Sequence, residues 1–168
     1  MPLVKNAARV QDPFTRIDDD GEIPADGAIL VSAARLEAEW EVLASRADPV
    51  GVVWPNNRPV ADLAPYLSGL AIVALVFPIF RDGRAYTQAH HLRERHGFAG
   101  EVRATGHVLR DQFLHMYRAG FDAYEVSKEA DVDAVIEVLN RYSSFYQPAV
   151  DGRTTILRQR LASRAKVT

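Results

Sequence analysis

Residues Leu70–Phe77 read LAIVALVF, eight consecutive apolar residues ending at Pro78. A run of this length, rich in β-branched side chains, is too short to span a membrane and fits a strand buried on both faces, as a parallel sheet requires. Parallel neighbours must be joined by crossovers, so the flanking chain should alternate strand and helix. It does. Leu36, Trp40, Leu43 and Ala47 recur on one helical face, with Ser32 placed to cap and Asp48-Pro49 to stop it. Helices are expected from about Arg84 to His96, stopped by Gly97, and from about His107 to Ala119, stopped by Gly120. A last helix, opened by Asp131, puts Val132, Val135, Ile136, Leu139, Tyr142 and Tyr146 on one stripe and ends before Pro148. Strands are expected at Ala28–Val31, Val50–Trp54, Glu101–Ala104 and Ala123–Val126 besides the central one. The expected fold is α/β: five or so mostly parallel strands alternating with helices, as an open doubly wound sheet or an incomplete (β/α) barrel. At 168 residues the chain is short for a complete eight-unit barrel.

That length fits one α/β domain, over residues 27–148. Residues 1–26, with DDDGEIPADG, read as a turn-rich lead-in. Residues 149–168 form a basic tail in which Arg153, Arg158, Arg160, Arg164 and Lys166 stand against Asp151; it reads as a solvated end or as a docking arm for an acidic partner. A net charge of −2 gives no overall attraction to nucleic acid or anionic lipid. The absence of cysteine removes disulfides, thiolate nucleophiles and cysteine-ligated clusters. No export signal or apolar span is evident at the start, so the cytoplasm is the expected location.

In a parallel sheet the strand C-termini share one edge, and ligands of open α/β sheets bind there. The loops leaving that edge bring Arg58, Arg81, Arg84 and the strand-end Arg103 toward one rim. Arg84 and Arg110 fall near helix starts, where a cation opposes the positive end of the helix dipole. An anion bound at the helix N-terminus removes that conflict, and so does pairing with Asp82 and Asp111. Between Arg81 and Arg118 there are seven arginines and no lysine, a choice suited to bidentate binding of oxyanions. All five histidines lie between His90 and His115, but their spacings do not give a shared metal site on one helix face, and no HExxH is present. His107, at a loop-to-helix junction, is the best-placed acid/base candidate. No GxxxxGK[ST], GxGxxG or GxSxG occurs.

The segments FPIFRDGRAYTQAHHLRERHGFAGEVRATGHVLRDQ and RAGFDAYEV resemble a bacterial family known as domain of unknown function 934. The likeness rests on Phe77, Pro78, Phe80, Asp82–Arg84, Leu92, Arg93, Gly97, Gly100, Glu101, Arg103, Ala104, Gly106, Val108, Leu109, Asp111, Gln112 and Gly120–Ala123. Members are labelled oxidoreductases of sulfite reduction, so the resemblance implies a link to sulfate and sulfite assimilation. His107 stands at a variable position of that pattern and carries no family role. An independent oxidoreductase is hard to reconcile with a chain lacking cysteine and dinucleotide fingerprints, and the cofactor stays open. The expected function is an accessory or ligand-binding protein of sulfite reduction. Arg84 and Arg103 would be its anion ligands, oriented by Asp82 and Asp111, with Gln112 and Tyr86 as neutral hydrogen-bond partners and Gly83 and Gly106 shaping the loops. The alternative is an enzyme of that pathway acting on a sulfur oxyanion or its nucleotide ester. Expected partners are a small oxyanion and sulfite reductase or another sulfur-assimilation protein; nucleic acid and membrane are not expected, and self-association is open.

Overall fold

In the computed structural model, which describes residues 1–165, eight strands form a single sheet. In chain order the strands are β1 (Leu3–Lys5), β2 (Ala8–Val10), β3 (Phe14–Arg16), β4 (Ala28–Ser32), β5 (Val50–Trp54), β6 (Leu70–Phe77), β7 (Glu101–Gly106) and β8 (Ala123–Glu125). The helices are α1 (Ala33–Ala38), α2 (Trp40–Ala44), α3 (Arg84–Glu94), α4 (Phe113–Ala119), α5 (Ala130–Asn140) and α6 (Ile156–Ala165). Lys166 of the basic tail lies outside the described residues.

Strand order is β2-β1-β8-β7-β6-β5-β4-β3, with β3 to β8 parallel and β1 antiparallel to both β2 and β8. Since β3 to β8 follow one another in sequence, each connection advances one strand in the same direction and there is no reversal of winding. That selects the incomplete barrel over the doubly wound sheet, whose strand order must reverse. Helices α1 to α5 accordingly share one face.

The edges also show why the sheet curls. A flat sheet of eight strands would separate β2 from β3 by about 34 Å at about 4.8 Å per strand. Only Gln11–Pro13 join them, and Val10 to Phe14 spans at most about 14 Å of extended chain. The two edges must therefore approach each other across the inner face. Arg16 on β3 reaches Glu125 on β8 (2.7 Å) and Thr105 on β7 (2.9 Å).

β6 lies in the middle and is buried on both faces, as its sequence requires. On the helical side Val73, Leu75 and Phe77 join Val52, Trp54, Val102 and Tyr124 against Leu36, Leu92, Phe113 and Val135. On the inner side Leu30, Ile72 and Ala74 pack with Phe14 and Val53. Toward β7 and β8 this inner face turns ionic.

Four expectations need correction. The expected last helix, α5, stops at Asn140, so Tyr142 and Tyr146 lie beyond it and are exposed instead of completing its stripe. The first 26 residues hold turns but also three of the eight strands, each only three residues long and thus invisible to periodicity. The helix after Ser32 is capped as expected, with Ser32 Oγ accepting from Arg35 N (3.1 Å), but breaks at Glu39; Trp40 then packs on Tyr66 (ring centroids 5.0 Å). The segment from His107 is not yet helical: after Gly106 at φ +92° the chain turns at His107, where Val108 N donates to Gly106 O (3.1 Å), is extended at Leu109 and makes a 3₁₀ turn before α4. In the tail, Arg153 donates to Tyr142 O (2.7 Å) and Asp151 pairs with Arg118 (3.0 Å), so its first residues are tied to the domain. α6 then exposes Leu157 and Leu161.

Candidate functional site at the rim of the half-barrel

β6 ends at Phe77, and Pro78 to Gly83 form the loop into α3. Its turn is closed by Asp82 N donating to Ile79 O (3.1 Å), which leaves Ile79 and Phe80 exposed. Phe80 is held on three sides: Arg81 lies over its ring, His107 meets its edge at 5.8 Å, and Gln112 Nε2 donates to its carbonyl (3.0 Å). Gln112 Oε1 also accepts from Leu109 N (3.3 Å), so this residue ties two rim loops together.

Gly83 is the N-cap of α3 and has no side chain to cap with, so Asp82 takes that role. Its carboxylate accepts from Arg84 N (3.3 Å), Nε (2.9 Å) and Nη2 (2.6 Å). The Arg84 guanidinium holds the Asp82 carboxyl far below the usual carboxylate range. Of the two ways to relieve the dipole conflict at Arg84, internal pairing is the one present. Arg84 is nevertheless exposed, and among the described residues its Nη1 has no hydrogen-bond partner.

Asp111 does not pair with Arg110, which lies 3.7 Å from Glu137 instead. Asp111 acts on Tyr86, whose phenol is pushed up to about 12, first by burial and then by this carboxylate. Tyr86 packs between Phe77 and His115 (ring centroids 5.2 and 4.6 Å) and is a neutral donor at physiological pH. Burial also raises Tyr124 well above its ordinary value, with Asp122 adding to the effect. Because both phenols hold their protons more tightly when folded, stability should be level up to about pH 10 and fall as pH rises toward 12. A titration followed by tyrosinate absorbance should show two of the six tyrosines ionising after the others; six groups titrating together near pH 10 would contradict these environments.

Gly106 closes the β6–β7 end of the rim. At φ +92° a Cβ there would lie 2.5 Å from Phe77 O, which accepts from His107 N (2.7 Å). The rim thus gathers Asp82, Gly83, Arg84, Tyr86, Gly106, Asp111 and Gln112 around neighbouring loops.

Arg103 stands apart. It is fully buried and points into the inner face of the sheet, whereas Arg84 belongs to the helical layer. Nε donates to Glu101 (2.7 Å), Nη1 to Asp12 (2.6 Å) and Glu125 (3.3 Å), and Nη2 to Asp12 (3.1 Å). Lys5 pairs with Glu101 (2.8 Å) and Arg16 with Glu125, so three cations meet three carboxylates. The structure does not place Arg84 and Arg103 side by side.

Sequence reasoning also missed a groove beside Arg84. Between β5 and β6 the chain forms two single 3₁₀ turns, Val60–Leu63 and Leu67–Gly69, instead of an α-helix. The layer is left open against α3 by a cleft of about 480 Å³. One wall is the stripe Arg84, Thr87, Gln88, His91 and Arg95; the other is Asn56–Ala61; no carboxylate lines it. Burial, then Arg95, His90 and His96, hold the His91 imidazole below its ordinary pKa. Arg58 on the facing wall stacks over Trp54 (4.5 Å) and pairs with Glu37 (2.5 Å). The spacing i, i+3, i+4, i+7, i+11 on α3 was the available signal, since those positions are polar where a packed helix layer would be apolar.

These features define a class: a singly wound, mostly parallel α/β half-barrel whose strand C-termini carry an arginine-bearing rim. The chain belongs to the family of bacterial proteins of unknown function DUF934, whose family model matches residues 51–157, more than half of its length. No curated protein and no solved structure matches the chain. Among the described residues no helix is long and apolar enough to cross a membrane.

Proposed function

We propose that this protein is an accessory, ligand-binding protein of assimilatory sulfite or sulfate reduction that holds an oxyanion at the rim beside Arg84. The observation that carries the ligand-binding part is the lining of the groove: Arg84, His91, Arg95 and His96 face it and no carboxylate does. Arg84 keeps Nη1 available while Asp82 occupies Nε and Nη2, a geometry in which one guanidinium is oriented by a carboxylate and still donates outward. The pathway is taken from the family resemblance, which also supplies sulfite reductase or another sulfur-assimilation protein as the expected partner.

The test is a thermal-shift series with sulfite, sulfate and phosphate on the wild type and on Arg84→Gln. A ligand at about 100 times its Kd stabilises by about 2.7 kcal/mol, and that gain should vanish in the variant with its unliganded stability nearly unchanged. A bound anion adds negative charge to the groove that His91 lines and opposes the lowering there, so the His91 titration followed by NMR should move upward on adding the anion. Equal melting temperatures in all conditions refute the anion site. Consumption of any of these anions by the purified protein would favour the enzyme alternative.

A further inference from the structure

Helix α6 turns its apolar side away from the domain. Gln159 faces inward: its Oε1 accepts from Ser144 Oγ (2.9 Å) and its Nε2 donates to Thr154 O (3.3 Å), while Ile156 N donates to Phe145 O (3.0 Å) at the helix start. Leu157 and Leu161 lie two residues before and after Gln159, about 160° round the helix from it, and are 64% and 56% exposed. Arg158 and Arg160 border this leucine pair, one on each side, both exposed and without a carboxylate partner among the described residues. An apolar centre with a polar, arginine-bearing border is the build of a protein contact surface. Residues 152–164 hold four arginines and no carboxylate.

The complementary surface lies on the same chain. Residues 18–26 hold five carboxylates and no cation, and all five acidic residues are exposed. Two arginines fasten this segment to α1 and α2 by its carbonyls: Arg35 donates to Asp18 O (2.5 Å), and Arg46 to Pro24 O (2.5 Å) and Gly27 O (2.8 Å). The carboxylates are left facing outward. On α2, one turn before Arg46, Val42 is 58% exposed next to the exposed Glu41. Among the described residues no ion pair joins Arg158 or Arg160 to these acids, since α1 packs on β4 and β5 while the tail is tied through Arg153 to Tyr117 and Tyr142.

We propose that α6 docks on the acidic segment and α2 of a second copy of this chain, with Leu157 and Leu161 against Val42 and with Arg158 and Arg160 among the carboxylates of residues 18–26 and Glu41. The two patches differ, so the contact is heterologous and adds copies head to tail. Pairing α6 with α6 would set like charges together. An anionic membrane fits α6 but repels the acidic patch, which favours the second copy. A single helix on one side makes a small contact, so association is weak, concentration-dependent and reduced by salt. The inference is independent of the groove at Arg84.

Sedimentation velocity of the full chain over a concentration series tests this. The apparent mass should rise with concentration at low ionic strength, and the dissociation constant should increase about ten-fold or more at high ionic strength. Leu157→Asp with Leu161→Asp, and separately Val42→Asp, should each give a monomer, all three positions being exposed. Mixing these two variants should restore association, as a pair and no further, because one keeps an intact acidic patch and the other an intact α6; that recovery also shows that both are folded. A mixture that stays monomeric overturns the inference. So does a wild type that is monomeric at every concentration, and its binding to phosphatidylglycerol vesicles would then assign α6 to a membrane. Association that Val42→Asp leaves intact, or that salt strengthens, means that α6 pairs with itself and equally overturns the inference.

Discussion

Replacing Arg103 by alanine is expected to destabilise the protein by about 3–5 kcal/mol, the range for removing one partner from a buried ion network. The reason is the company its guanidinium keeps. Four of its five N–H groups are bound by Asp12, Glu101 and Glu125. Alanine would leave three carboxylates inside the curled sheet facing only Lys5 and Arg16. Arg103→Lys should recover a minor part, because an ammonium cannot reproduce the bidentate contact with Asp12. The effect should extend to the N-terminus, since Asp12 lies in the three-residue link between the sheet's edges. Urea denaturation gives the free energy. A loss below about 1 kcal/mol would mean that the network behaves as an exposed ion pair and does not hold the curl. Anion binding at the rim should survive any Arg103 variant that folds, which separates this residue from Arg84.

That contrast shows where the sequence was readable. The apolar run of β6, the Ser32 cap and the stops at Gly97 and Gly120 each act through neighbouring residues, so local pattern reveals them. Gly97 lies at φ +60° and Gly120 at φ +106°, the left-handed conformation expected of helix-ending glycines. The position of Arg103 depends on something else. The expected strand, Glu101–Ala104, put it at the C-terminal edge, but β7 runs on to Gly106 and pairs Arg103 with Ala74 and Ala123 inside the sheet; its face is decided by the alternation Glu101, Arg103, Thr105 against Val102 and Ala104. Read with period two, those polar residues share one side, and only a sheet whose far edge folds over can supply their partners. β1 to β3 were illegible for the same reason: three-residue strands have no periodicity, and their pairing is fixed by the curl. The groove was hidden because a missing helix leaves no motif. The rim loops, by contrast, followed from topology, and Asp82 with Arg84 was among the pairings the dipole argument allowed.

The residues on which the family resemblance rests also divide by place. Arg93 is on the same helix as Arg84 but at the opposite end, where α3 hands over to β7. Its Nε donates to Gly120 O (3.0 Å) and its Nη1 to Phe98 O (2.5 Å) and Gly100 O (2.8 Å), while Nη2 pairs with Asp122. Asp122 in turn accepts from Val102 N (2.9 Å), so a single side chain fastens the entries to β7 and β8. Its stem fits closely over Gly120, where a Cβ would lie 2.7 Å from Arg93 Cγ. Arg93→Ala removes bonds to three carbonyls and one carboxylate in a mostly buried setting, and should cost about 3–5 kcal/mol. Arg84→Gln, which breaks an exposed pair, should leave the urea midpoint nearly unchanged. Parallel urea titrations of the two variants decide the matter: Arg93 serves the fold and Arg84 is free to serve a ligand only if the first is strongly destabilised and the second is not.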